Sequence, residues 1–208
     1  MTLLRSIDDV AAAVLALPRT GRLIVGIAGA PGAGKSTIAA ELVAALPGAA
    51  LLPMDGFHLP QARLVELGRR DRMGAPDTFD VDGYVATLEA LRHVGNSGVT
   101  VRAPGFNREI EEAVPGAIAI TPEFPIIVTE GNYLLLGDGG WQRVAPLLDA
   151  SFFVTLDRDI RIERLIARHV RFSKSPADAT AWATGPDERN AAIVEASAHK
   201  ATHTIALG

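Results

Sequence analysis

The chain of 208 residues is 48% hydrophobic and 21% charged, enough to bury a substantial core in one globular unit but short for two. Its formal net charge of -4 gives no global field to attract nucleic acid or an anionic membrane, so any anionic ligand must be held by a local cluster of cations. The absence of cysteine excludes disulfides, thiolate metal sites and cysteine nucleophiles, and no run approaches the ~20 apolar residues that cross a bilayer.

In chain order, Ser6 followed three residues later by Asp9 predicts a helix start, and Val10, Val14 and Leu17 recur on one face until Pro18. Asp8 and Asp9 precede the apolar run, which therefore reads as a short amphipathic helix and not as a leader; a cytoplasmic location is expected. Residues 23–28 form an aliphatic run closed by Gly29, the pattern of a buried strand. From 36 to 46, Ile38, Leu42, Val43 and Leu46 restore helical spacing until Pro47-Gly48. Apolar runs at 50–54, 126–129, 152–156 and 204–207 are too short for typical helices and predict further buried strands. Helical segments between several of them imply an α/β fold in three layers, a mostly parallel sheet with helices on both faces and ligands beyond the carboxyl ends of the strands. Residues 99–120 carry Gly, Pro and two short β-like runs, which predicts a small antiparallel insertion. The whole chain, 1–208, is expected to form one domain.

Gly29-Ala30-Pro31-Gly32-Ala33-Gly34-Lys35-Ser36-Thr37 satisfies G-x-x-x-x-G-K-[ST] and lies between a predicted strand and a predicted helix. Glycines let successive backbone N–H groups point inward and the helix start adds positive potential, so the loop cradles phosphates. Lys35 then reaches the β and γ phosphates of ATP, and Ser36 can ligate Mg²⁺. Such a loop needs an acidic group near the metal, and the apolar run 126–129 ends at Glu130, the second candidate metal residue.

The run 50–54 leads into Asp55-Gly56-Phe57-His58, which puts a carboxylate at the end of a strand expected beside the phosphate loop. Asp55 can orient an acceptor hydroxyl and take its proton, and His58 is a candidate contact for the same substrate. Further on, Arg161, Arg164, Arg168 and Arg171 are spaced three, four and three apart on one helical face. A cationic helix followed by 172–176 predicts a lid over about 159–176, with Arg164 and Arg168 acting on the transferring phosphoryl group. Trp182 reads as a packing residue. Together these features predict an ATP-dependent phosphotransferase acting on the hydroxyl of a small metabolite. A nucleotide-driven switch is the competing class, but Asp55 has no evident role in it, and the chain has no Asn-Lys-x-Asp guanine-recognition motif. Intact Lys35, Ser36, Asp55 and Glu130 argue against a degenerate scaffold.

These residues resemble the uridine kinase, phosphoribulokinase and bacterial pantothenate kinase group of P-loop kinases. The resemblance runs through the phosphate loop, Asp55-Gly56-Phe57, the stretches 76–80 and 104–108, Glu130-Gly131-Asn132-Tyr133 and the Arg164/Arg168 segment. It implies a parallel five-stranded core, MgATP as donor, Asp55 as catalytic base, and a helical lid. It also implies Phe79, Phe106 and Arg108 as substrate-binding residues beside Asp55, His58 and Glu130. Departures bear on the acceptor: uridine kinases carry an aspartate where Gly74 stands, Tyr-Asp where Phe106-Asn107 stands, and an arginine where Leu165 stands. The chain is most similar to a bacterial branch described as nucleoside-kinase-like or as kinases linked to fructose transport, which makes a sugar the first acceptor to consider and uridine- or pantothenate-type alcohols the alternatives. The expected partner is a small molecule, with no nucleic acid or membrane; a homodimer is left open.

Overall fold

A computed structural model describes residues 2–19, 21–93 and 98–206. Six strands form one wholly parallel sheet: β1 (Thr2–Leu4), β2 (Leu23–Gly29), β3 (Ala49–Pro53), β6 (Ile126–Gly131), β7 (Ala150–Val154) and β8 (His203–Ile205), in the order β1-β8-β7-β2-β6-β3. The mostly parallel α/β expectation holds. The sheet has one strand more than the family resemblance implied, because Thr2–Leu4 adds to the edge beside β8. Only Leu4 of that strand is buried, so no apolar run announces it.

Alternation along the central strands sorts side chains to two faces, as the two-residue period of a strand requires. Leu23, Val25 and Ile27 of β2, with Ile126 and Val128 of β6, pack on Val10 and Val14 of α1 (Ile7–Leu15) and on Ile38 and Leu42 of α2 (Lys35–Ala45). Ile24, Ala28 and Ile127 point the other way. There they meet Tyr84, Val85, Leu88 and Leu91 of α4 (Val81–His93) and Val194 of α7 (Pro186–Ala196). Ser6 caps α1 in a reciprocal capping box with Asp9, as its spacing predicts.

Element ends differ from the sequence reading by a residue or two. The second predicted strand stops at Pro53, and Met54–Phe57 turn into a 3₁₀ coil that carries Asp55. β6 continues through Glu130 and Gly131, whereas β7 ends at Val154. The last strand ends at Ile205 within the described residues; Leu207, where 204–207 was expected to end, lies outside them. The insertion is an antiparallel pair, β4 (Val101–Asn107) and β5 (Glu112–Ile120), with its register shifted at Pro104, which has no N–H to give. A short α3 (Gln61–Glu66) lies between β3 and α4, and α5 (Arg158–Arg171) and α6 (Pro176–Thr184) precede α7.

Candidate active site

The phosphate loop opens at the carboxyl end of β2. Gly32 (φ 81°) and Gly34 (φ 94°) adopt left-handed backbone, which glycine enters without a Cβ penalty. Added Cβ atoms would also collide, at Gly32 with the Arg161 carbonyl 2.8 Å away and at Gly29 with the Val154 carbonyl 2.9 Å away. Gly34 caps α2 and makes no side-chain capping bond, so the helix start is left for an anion, in contrast to the serine cap of α1. Ala30 and Ala33 are buried and seat the loop, while Pro31 faces the cleft. Lys35 is 8% exposed and folds its Nζ onto the Ala30 carbonyl at 3.0 Å. Burial lowers its pKa to about 8, against the opposing pull of Glu130 and Asp55.

Beside the loop, Ser36 Oγ donates to Glu130 Oε1 at 3.1 Å. Burial, reinforced by the charge of Asp55, raises the Glu130 carboxyl to about 7, despite Lys35 and the Ser36 bond. The preceding residue fixes this strand end. Thr129 Oγ1 donates to the Leu52 carbonyl at 2.7 Å, so its lone pair must accept the Tyr84 hydroxyl at 2.6 Å. β3, β6 and α4 are thereby bolted together one residue before the carboxylate. A hydroxyl and a carboxylate already in contact next to a phosphate-type loop fit Mg²⁺, which keeps few protein ligands and takes phosphate oxygens for others.

Asp55 lies across the cleft from Lys35. Burial alone would push its carboxyl up, but His58, Arg108, Lys35 and Arg168 outweigh that and hold it below the ordinary range. Arg108 Nη2 bonds Asp55 Oδ2 at 2.7 Å, and about a quarter of the Asp55 side chain (28%) stays exposed. The turn is held from above: a Cβ on Gly56 would fall 2.1 Å from the Pro104 carbonyl, so β4 rests directly on it. His58 Nδ1 donates to the Asp55 carbonyl at 2.8 Å, which leaves Nε2 without the proton in the neutral ring. The imidazole is flanked by Phe79 (4.0 Å between centroids) and Phe106 (4.8 Å), and burial lowers its pKa.

The structure thus brings Pro31, Lys35, Ser36, Asp55, His58, Phe79, Phe106, Arg108, Glu130 and Arg168 to one cleft, which holds about 150 Å³ of open space. Arg164 and Thr37 do not line it. They border a second hollow of about 400 Å³, with Ala33, Gly34, Ile38, Glu41 and the 154–156 segment, on the far side of the loop. The four-arginine face is not one functional surface. Arg161 is buried, pairs with Glu188 and donates from Nη1 to the Pro31 carbonyl at 3.3 Å, so it braces the phosphate loop from below. Arg171 is exposed, its guanidinium 5.9 Å from the Phe172 ring. Equal spacing cannot distinguish these environments, because burial is set by what packs against each turn.

The cleft also includes residues that the sequence reading missed. Arg70 bonds Glu111 and Gln61, each at 3.0 Å, and ties the tip of the β4–β5 hairpin to α3. Trp182, expected to be packing, instead lines the cleft with Lys174 Nζ 4.8 Å above its ring. Asn132, His169, Asp187 and Asn190 face the same space. Asn132 stands within the Glu-Gly-Asn-Tyr stretch and was within reach of that signal; His169 follows Arg168 on the arginine-bearing α5, and Asp187 and Asn190 come from α7, which carries no motif.

Residues 24–172 match the model of the phosphoribulokinase / uridine kinase family. Over 133 residues, 62% of this chain and 77% of the relative, the chain is 39% identical to the ATP-dependent kinase-like protein notR' of Aspergillus versicolor. It is 32% identical over 171 residues, 76% of this chain and 71% of the relative, to a Schizosaccharomyces pombe protein provisionally named a uridine kinase. A crystal structure from Silicibacter sp. TM1040, of a protein provisionally described as a fructose transport system kinase, superposes with a TM-score of 0.88 at 35% identity, covering 97% of this chain and 99% of that one.

Proposed function

This chain belongs to the phosphoribulokinase / uridine kinase family and is a P-loop kinase; from that premise we propose that it transfers the γ-phosphoryl group of MgATP to a hydroxyl of a small metabolite, with a sugar such as fructose as the first acceptor to test. The observation that carries the reading is that Asp55, Lys35 and the Ser36–Glu130 pair open onto one cleft. Phosphoryl transfer needs positioning and charge neutralisation more than covalent chemistry from the protein. Lys35 and the loop amides hold the phosphates, Ser36 and Glu130 hold the metal, and Asp55 orients the acceptor hydroxyl and removes its proton. The low pKa of Asp55 keeps it ionised and able to accept. Arg168 adds positive charge on the α5 side of the cleft, and the Arg164 hollow takes the remainder of the nucleotide.

A sugar is supported over a nucleoside by the His58 imidazole. It fills the slot between Phe79 and Phe106, the aromatic surface on which a nucleobase would otherwise stack. The test is ADP release measured with sugars, uridine and pantothenate offered in turn. Stimulation by a sugar is expected. ATP consumption that no acceptor raises above the basal rate would overturn the reading in favour of a nucleotide-driven switch.

A further inference from the structure

The wall of the cleft made by α7 has no part in the reading above. Asn190 is 5% exposed, lines the cleft, and makes no side-chain hydrogen bond among the described residues. Its Nδ2 lies 3.9 Å from the point where a Cβ on Gly74 would stand. The backbone across from it is already engaged: the Gly74 carbonyl accepts the Tyr133 hydroxyl, and the Gly74 N–H donates to Thr78 Oγ1 at 3.0 Å. The amide is not among the side-chain groups sealed from solvent without a partner, so it opens onto the cleft, where a ligand can replace water on it. One turn earlier on the same face, Asp187 is also buried and spends Oδ2 on His169 Nε2 at 2.8 Å, a contact that sets the orientation of the carboxylate. Oδ1 makes no hydrogen bond among the described residues.

A carboxylate oxygen that only accepts, beside an amide that both donates and accepts, matches adjacent hydroxyl groups, each of which does both. We propose that Asp187 and Asn190 form a hydroxyl-recognition subsite that binds the acceptor away from the group being phosphorylated, so that the substrate is a polyol of the sugar class. One hydroxyl donates to Asp187 Oδ1, and its neighbour bonds the Asn190 amide. A simple alcohol without a neighbouring hydroxyl would leave both groups to water. Gly74 gives the subsite its room. The inference rests on the kinase reading and adds the residues that select the acceptor.

The test begins with wild-type protein and needs no variant. The sugar that stimulates ADP release is compared with its singly deoxygenated analogues. Loss of one particular hydroxyl remote from the reacting one should raise KM roughly 10-fold, the order expected for a lost buried hydrogen bond. Asn190→Ala should then raise KM for the parent sugar by a similar factor, more than it lowers kcat and more than it alters KM for ATP. For the critical deoxy analogue the same variant should have little further effect. Asp187→Asn, read in the same way, reports on the carboxylate should Asn190→Ala fold poorly. Equal losses on parent and deoxy sugars, or an unmoved KM, would overturn the subsite while leaving the kinase reading intact. If no acceptor stimulates turnover, both fall together.

Discussion

The two halves of the cleft are built in opposite ways. The half proposed to hold phosphate is nearly contiguous: Gly29 to Thr37 shape it with their own backbone, and Lys35 closes onto a carbonyl five residues earlier. The half proposed to hold the acceptor is assembled from the Asp55 turn, the Gly74 segment, the β4–β5 hairpin and helices α5 to α7, none of which makes a site alone. Phosphate is the same in every nucleotide, so a fixed loop with fixed dihedrals suffices. An acceptor is met by side chains that can be exchanged singly without disturbing the sheet, which is how one fold can serve different substrates.

The comparison can be broken most decisively at Asp55. Asp55→Asn keeps size but removes charge and proton acceptor, so transfer to the acceptor should fall by about 10² to 10⁴ while nucleotide binding persists. Retained transfer, measured beside acceptor-independent hydrolysis, would make Asp55 a structural partner of Arg108 and nothing more. Lys35→Ala attacks the contiguous half. It should cost about 10² to 10³ in turnover, with no loss of melting temperature, because the buried lysine serves phosphate and not the core. Turnover equal to wild type would sink the phosphate assignment.

Two arginines on one helix sharpen the contrast further. Arg168→Ala should lower kcat about 10-fold, with a smaller change in ATP affinity, since a cation acting on redistributed charge is felt most in the transition state. Arg161→Ala should instead lower stability by about 1–3 kcal/mol, because it takes the donor from the Pro31 carbonyl and leaves Glu188 with Arg158 as its remaining arginine partner. Urea melts and initial rates separate the two, and identical profiles would refute the division. The smallest effect concerns Glu130. Its folded pKa of about 7 lies above the ordinary 4.5, so the native protein keeps a proton that the unfolded chain has released between those values. Without nucleotide or metal, stability should fall as pH rises through that window. Glu130→Gln should therefore raise Tm by about 2–6 °C at pH 8, the gain closing towards pH 4.5. A gain independent of pH would mean that the carboxyl is not raised.

What could be read from the sequence follows the same division. The phosphate loop, Asp55 and Glu130 were legible because each follows an apolar strand and must lie at its carboxyl end. α6 and α7 were not, because α6 buries only the alanines Ala179 and Ala183, and α7 buries Asp187 and Asn190 beside Ala191 and Val194, so neither gives much hydrophobic contrast to count. Asp187 and Asn190 consequently stand in a stretch that carries no sequence signal. Gly74 was visible as a departure from the uridine kinase pattern, but what faces the space it leaves comes from a helix more than 110 residues later. The different surroundings of the four arginines have the same origin: periodicity fixes a direction around a helix axis, whereas packing decides whether that direction is solvent, a loop or a cleft.

The contact between Gly56 and Pro104 carries a lesson for anyone wishing to re-engineer the acceptor. With no room for even a methyl group between the Asp55 turn and β4, hairpin and turn are one inherited piece, machined to a shared surface. A hairpin transplanted from a relative without its matching turn would lift Arg108 off Asp55, and the chimera would lose its reactive geometry before its specificity was ever tried. Exchanged together, the two pieces make a portable cassette, and the sheet beneath becomes a chassis on which new acceptors can be explored.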